Sequence, residues 1–389
     1  MKNFQYRNPV EIVFGKGTIA KLAELVPADQ KVLITYGGGS IMENGVYDQV
    51  KAALARHQVL EFGGIEPNPR YETLMKAVEI VKRENVGFLL SVGGGSVLDG
   101  TKFIAVAARF SGEPWDIPEK GAAATDAVPL GDVLTLPATG SEMNCFAVIS
   151  RKETAQKLAF ACPHVFPKFS ILDPEVTFSL PERQIANGIV DAFVHVCEQY
   201  MTFPVNAPLQ DRQSEAIYLT LIDEGPKTLA DPTDYDSRAN LVWAATHALN
   251  GWINCGVPQD WTTHMIGHEL TAIRGIDHAR TLALVLPALW QHQRKEKGDK
   301  LVQYAARVWG ITGNDNNPEN NDRDTVIDQA IAKTKEFFAS VGIRPSKQEY
   351  GITDDDCRKV AKILGDRGLL GERGNIGEKQ ILEILQLCD

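Results

Sequence analysis

An α/β domain with a mainly parallel, Rossmann-like sheet, followed by an all-helical domain, is the architecture this sequence predicts. Two observations carry it. Between residues 10 and 178, short runs rich in Val, Ile and Leu alternate with stretches of helical period, the pattern of strand–helix–strand units on a parallel sheet. Beyond residue 180 the strand signals stop and only helical periodicity remains. A boundary near 180, in LPERQ, therefore divides the chain into 1–180 and 181–389.

Taken in order, VEIVF (10–14) alternates weakly and ends at Gly15. It reads as an edge strand, or as one that pairs with another subunit. A helix over 17–26 follows, then the buried strand KVLITY (31–36), closed by Gly37-Gly38-Gly39-Ser40. Next come a helix over 45–57, a strand near 59–64 and a helix over 71–84. The strand VGFLLSV (86–92) runs into Gly93-Gly94-Gly95-Ser96, which opens a helix over 96–109. DVLTLPATGSEMN (132–144) is a strand and a turn of small residues, and two or three short strands fill the chain to 178. Nine helices are then expected, over 181–201, 207–229, 236–254, 259–273, 278–294, 297–309, 323–341, 354–365 and 375–387. TGNDNNPENNDRD (312–324) reads as a polar surface loop.

Composition narrows the function. A formal net charge of −10 argues against nonspecific nucleic-acid binding. No apolar run approaches the roughly twenty residues that span a bilayer, and the first residues lack the apolar core of a signal peptide, so a cytoplasmic protein is expected. The six cysteines are scattered with no C-x-x-C, so neither a disulfide framework nor a thiolate zinc site is indicated. Cys197 reads as a small buried hydrophobe.

Chemistry concentrates in the helical half. Asp191 and His195 are four apart and share a helix face, and His264 and His268 repeat that spacing, with His278 ten residues on. Carboxylate plus imidazole is a ligand set for Zn or Fe(II) rather than Ca or Mg. On spacing alone His268 can ligate as well as the others. In the first half, the two GGGS turns lie at the ends of strands, where glycines admit an anion and helix amides bind it. Neither fits G-x-G-x-x-G, since Met42 and Leu98 occupy the third position. Asp99 can accept from a hydroxyl or carboxamide, or simply complement the helix dipole. Lys102 reads as a solvated face residue.

Four segments make the chain resemble the iron-containing (group III) alcohol dehydrogenases from end to end: GGGSVLDGTK (93–102), LPATGSE (136–142), LDPEVTFSLPERQIANGIVDAFVHVCEQY (172–200) and WTTHMIGHELTAIRGIDHA (261–279). Within that family it resembles the broad-specificity NADPH-dependent aldehyde reductases and butanol dehydrogenases. The resemblance implies that Asp191, His195, His264 and His278 hold one divalent metal, Fe(II) or Zn. It makes His268 a catalytic histidine near the nicotinamide rather than a ligand. It gives the pyrophosphate to Gly94, Gly95 and Ser96, and lines the cofactor cleft between the two domains with Asp99, Thr135, Thr139, Ser141, Asn144 and Lys157. Relatives that use NAD carry an aspartate where Gly39 stands here. Gly37, Gly38, Gly39 and Ser40 instead leave room and donors for a 2′-phosphate, which favours NADP(H). The implied activity is hydride transfer between NADP(H) and small uncharged aldehydes or primary alcohols, in a homodimer. A metal-dependent cyclase of the dehydroquinate synthase type shares the architecture but needs several cations for its anionic substrate. The segment 259–280 offers only Arg274 and Arg280, beside Trp252, Trp261 and Met265. A nucleotide-binding sensor would lack a complete ligand set.

Overall fold

Six parallel strands form the sheet of the first half: β1 (Glu11–Phe14), β2 (Lys31–Tyr36), β3 (Gln58–Phe62), β4 (Phe88–Gly94), β5 (Leu130–Leu136) and β8 (Phe169–Leu172), in the order β1-β8-β5-β4-β2-β3. A separate antiparallel hairpin, β6 (Phe146–Arg151) and β7 (Gln156–Ala161), leaves the sheet between β5 and β8. The structure is a computed structural model that describes residues 1–312 and 323–388. Most of the expected polar loop at 312–324 lies outside the described residues.

Alternation along the strands builds two cores. Val32 and Ile34 of β2 and Phe88, Leu90 and Val92 of β4 face one side, against α1 (Leu22–Leu25), α2 (Ser40–Glu43) and α3 (Val46–Ala53). Leu33 and Leu89 face the other, against α4 (Tyr71–Glu84) and α5 (Gly95–Ala107), with α6 (Asp116–Lys120) alongside. β2 and β4 are hydrogen-bonded neighbours, yet the helices that follow them pack on opposite faces. That is a topological switch point, where open α/β sheets bind ligands beyond the carboxyl ends of the strands. Both GGGS turns stand there.

Three expected helices are shorter than their periodicity suggests, the 236–254 segment ending at Ala248. The 17–26 segment is a 3-10 turn, Thr18–Lys21, followed by one α turn. The 45–57 segment keeps only Val46–Ala53, because Gly45 takes φ 77° at its start and the chain leaves helical geometry at Leu54. β1 is the edge strand, paired with β8 within the chain.

The remaining helices are α7 (Glu182–Tyr200), α8 (Pro208–Ala230), α9 (Tyr235–Ala248), α10 (Thr262–Arg274), α11 (His278–His292), α12 (Gly298–Trp309), α13 (Arg323–Ser340), α14 (Asp354–Arg367) and α15 (Glu378–Leu387). The described residues form two compact units that are not contiguous in sequence. One comprises Arg7–Pro181 and Asp231–Asn250, the other Met1–Tyr6, Glu182–Ala230 and Gly251–Asp389. A single cut at 180 thus misses α9, which packs with the sheet through Val242 against Leu134 and Leu172. In the helical unit α7 is buried on every side from Gly188 to Tyr200, so it forms the centre. Phe193 packs among Tyr218, Phe337 and Phe338. Cys197 is buried at 1% exposure, as a small hydrophobe.

Candidate metal centre and nucleotide turns

On α7, Asp191, His195 and Glu198 follow at i, i+4 and i+7 and so share one face. α10 brings His264 to that face, and the first residue of α11 brings His278. One carboxylate oxygen is the focus. Asp191 Oδ1 lies 3.8 Å from His195 Nε2, 3.7 Å from His264 Nε2 and 4.0 Å from His278 Nε2. Ligand atoms about 2.1 Å from a tetrahedral ion sit roughly 3.4 Å apart, so each imidazole stands within a few tenths of an ångström of ligand spacing from Asp191, with His278 the outermost of the set. Asp191, His195 and His264 are all buried, and their donor atoms lie within 4.8 Å of one another.

The orientation of His264 tests the fit. Its Nδ1–H donates to Glu198 Oε2, and its backbone N–H donates to Glu198 Oε1 at 3.1 Å. Its Nε2 is buried without a hydrogen-bond partner and faces Asp191. A carboxylate holding one imidazole nitrogen while the other is presented to a common point is the supporting shell of a metal-ligating histidine. Burial opposes charge on this ring, but Glu198 and Asp191 outweigh it and raise the imidazolium to about 9. A cation at the centre would replace that proton. The residues present therefore fit a divalent Zn or Fe(II) ion. His195 and His264 stack at 4.7 Å between ring centres, and Trp261 meets both edge-on. His268 is buried one turn along α10, its ring 4.6 Å from His278 and 5.9 Å from His264.

The turn after β4 has no slack. Gly94 is the last strand residue and Gly95 the first of α5. A Cβ on Gly95 would lie 2.4 Å from Thr139 Oγ1, and one on Gly94 would lie 3.0 Å from Leu136 Cβ. Glycine is required there by close approach, and the amides of α5 face outward from its N-terminus. In the turn after β2, Gly39 has φ 113° and open space around it. Its backbone alone requires glycine, whereas Gly38 has neither a left-handed φ nor a neighbour within 4 Å.

The other expected cofactor residues behave differently from one another. Thr135 is the penultimate residue of β5, and Thr139 packs on Gly95. Lys157 is buried on β7, close enough to Asp99 to favour its ionised form. Asp99, Ser141 and Asn144 are engaged with the protein itself. Ser141 Oγ donates to Asp99 Oδ1, and both Asn144 amide hydrogens go to backbone carbonyls, Gly140 O and Leu249 O. Lys102, read as solvated, is fully buried.

Comparison with known proteins decides the family. The N-terminal model of iron-containing alcohol dehydrogenases matches residues 9–174, and the model of the family's C-terminal region matches 185–388. The chain belongs to the iron-containing alcohol dehydrogenase family. It is 57% identical over 372 residues to the NADPH-dependent aldehyde reductase YqhD of Escherichia coli, covering 95% of this chain and 94% of that one. It is 40% identical to NADH-dependent butanol dehydrogenase B of Clostridium acetobutylicum, covering 93% of each. The crystal structure of YqhD superimposes with a TM-score of 0.96 at 54% identity, over 99% of this chain and 98% of that one. That of NADH-dependent butanol dehydrogenase A from Thermotoga maritima gives 0.94 at 36% identity, over 100% and 99%. This iron-containing alcohol dehydrogenase is an oxidoreductase. Two of its site residues escaped the sequence reading, Glu198 and Lys102. Glu198 had a signal, since it lies three residues past His195 on the ligand face.

Proposed function

We propose that this enzyme reduces small, uncharged aldehydes to primary alcohols with NADPH, using one divalent metal held by Asp191, His195, His264 and His278. The convergence of three imidazole Nε2 atoms on Asp191 Oδ1 carries the reading. Bound there, the metal supplies Lewis-acid polarisation of the carbonyl oxygen, and the nicotinamide supplies the hydride. The chain supplies the rest. Glu198 fixes the Nδ1–H tautomer of His264. His268, on the next turn of α10, relays a proton to the product oxygen. The α5 N-terminus, with Gly94, Gly95 and Ser96, binds the pyrophosphate, and Gly37–Ser40 receive the 2′-phosphate. Thr135, Thr139 and Lys157 line the remaining cofactor surface.

An anionic substrate is disfavoured. Arg274 is engaged by Asp356 and Arg280 faces Asp277, so the two arginines near the site are already paired. The wall beside His264 is apolar, from Trp261 and Met265. Six free thiols suit a reducing compartment, which supports a cytoplasmic enzyme. No helix among the described residues is long and apolar enough to cross a membrane. β1 has no strand on its outer edge among the described residues, and we place a homodimer contact there.

NADPH oxidation with a panel of aldehydes, before and after treatment with a chelator, tests the reading. Turnover of short aldehydes that stops with the chelator and returns with Zn or Fe(II) is expected. Activity indifferent to metal removal would refute it.

A further inference from the structure

The N-terminal half of α5 carries more than the phosphate turn. Three residues past Ser96, Asp99 accepts Ser141 Oγ–H at 2.7 Å on Oδ1 and Val148 N–H at 2.9 Å on Oδ2. Three residues further, the Lys102 ammonium meets five oxygens of the same segment: Ser141 O at 2.7 Å, Ser141 Oγ at 2.8 Å, Asn144 O at 2.9 Å, Asn144 Oδ1 at 3.1 Å and Phe146 O at 2.9 Å. Three N–H groups shared among five oxygens resemble a cation in an oxygen cage. The segment then returns to where it started. Ser141 N–H donates to Thr139 Oγ1 at 3.2 Å, and Thr139 is the side chain pressed against Gly95. The circuit runs from the α5 N-terminus down to Lys102, across to 141–148 and back through Thr139.

We propose that Asp99 and Lys102 form a clasp that positions the 139–148 segment as the second wall of the nucleotide site. The inference rests on the cofactor reading above, and it makes Asp99 and Lys102 positioning residues rather than cofactor contacts. The bonds are charge-assisted and wholly or largely buried, so the clasp is rigid while the lysine is protonated. Burial pulls that ammonium down to about 8, opposed first by Asp99 on its own helix, then by Cys145, Glu142 and Asp132 from the elements around it. Burial raises all three carboxyls, Asp132 the most, but Asp99 is opposed in that by Lys102, by the hydrogen bonds from Ser141 and Val148 and by Lys157, so it is the carboxylate the lysine answers first. Above about pH 8 the amine loses a donor and turns a lone pair toward oxygen, and the clasp loosens.

Fluorescence titration with NADPH on the metal-loaded enzyme, across pH 6.5–9.5, tests this, with Lys102→Met and Asp99→Asn alongside. Asp99→Asn keeps the size but sets an amide donor against a donor. Each variant is expected to weaken NADPH binding by about tenfold or more, with the loss falling on KM for NADPH more than on kcat and metal content unchanged. The double variant should be little worse than the worse single one. Wild-type affinity should fall as pH rises through 8, and that of Lys102→Met should stay flat. Amide hydrogen exchange over 141–148 reads the clasp without cofactor and should quicken in either variant. Wild-type affinity with a wild-type pH profile in Lys102→Met, or unchanged exchange in either variant, would overturn the clasp. If Lys102→Met does not fold, Asp99→Asn and the wild-type pH profile still decide. Wild type that does not bind NADPH at all would overturn the cofactor reading and leave the exchange result to judge the clasp.

Discussion

Glu198→Gln separates a metal-supporting role from mere packing. The substitution preserves size in a residue only 3% exposed. Glu198 accepts two hydrogen bonds from one partner, His264, through its backbone N–H and through Nδ1–H. An amide offers one acceptor and one donor. If its oxygen faces the backbone N–H, its NH2 meets the ring and forces the proton onto Nε2, the atom aimed at Asp191. That tautomer cannot ligate. If instead the oxygen keeps the ring proton, the NH2 opposes the backbone donor. A buried donor left unpaired costs about 1–3 kcal/mol, which is roughly 10- to 100-fold in affinity. The first orientation satisfies both groups but cannot ligate, so metal binding forces the second with its unpaired donor, and metal affinity should fall by about that factor. Competition with a graded series of chelators, using Zn and anaerobic Fe(II), gives the number, and circular dichroism confirms the fold. Affinity within about twofold of wild type would refute the argument that this carboxylate sets the His264 tautomer.

Three further outcomes are expected. Asp191→Ala, His195→Ala, His264→Ala and His278→Ala should each purify with little metal, whereas His268→Ala should keep its metal and turn over slowly; elemental analysis and kcat separate the two groups. Wild type should prefer NADPH over NADH by ~10²-fold in kcat/KM, as one or two charge-assisted bonds give. Gly38→Asp should reverse much of that, and it is a cleaner test than Gly39→Asp, because φ 113° at Gly39 strains any side chain. In β1, Glu11 N–H and Gly15 N–H bond to the β8 side, so by alternation Phe14 N–H points outward. Phe14→Pro, which removes that donor and leaves the bonds to β8, should shift light scattering from dimer to monomer; an unchanged mass would clear β1 of the contact.

How much of this was legible in the sequence depends on how far apart the interacting residues are along the chain. The strands KVLITY and VGFLLSV carry their burial in their own composition, and β2 and β4 occupy those runs. The helices after 180 carry theirs in period. The grouping of the proposed ligands was legible because Asp191 and His195 announce a shared face locally. What failed was non-local. Lys102 looks like any helix lysine, and its five acceptors lie 39 to 44 residues away. α9 has ordinary helical patterning, and nothing in it says that Val242 will meet Leu134. Helix 45–57 was overdrawn because the apolar stripe Val46, Val50, Ala53 and Leu54 runs up to the residue where the backbone turns, and the sequence beyond it carries no breaker.

Glu198 and Lys102 share a property that makes such residues findable. Each lies on the helix that already bears a site group, at a spacing that returns it to the same face. On α7 the step runs from Asp191 to His195 to Glu198, two proposed ligands, then the carboxylate that holds a third, His264, on another helix. On α5 it runs from Ser96 to Asp99 to Lys102, the proposed phosphate turn, then two supports for a segment that comes back to that turn. The 3.6-residue period makes this economical, because a helix rigid enough to aim one group holds the next turn's group in fixed register with it. Charge selects which of these positions matter. A carboxylate or ammonium three or four residues from a site residue, on a helix too apolar to be solvated, must have a buried partner. α5 and α7 are both buried on nearly all sides, so Lys102 and Glu198 had to be bonded to something. In each case that partner is a part of the site that their own helix does not carry.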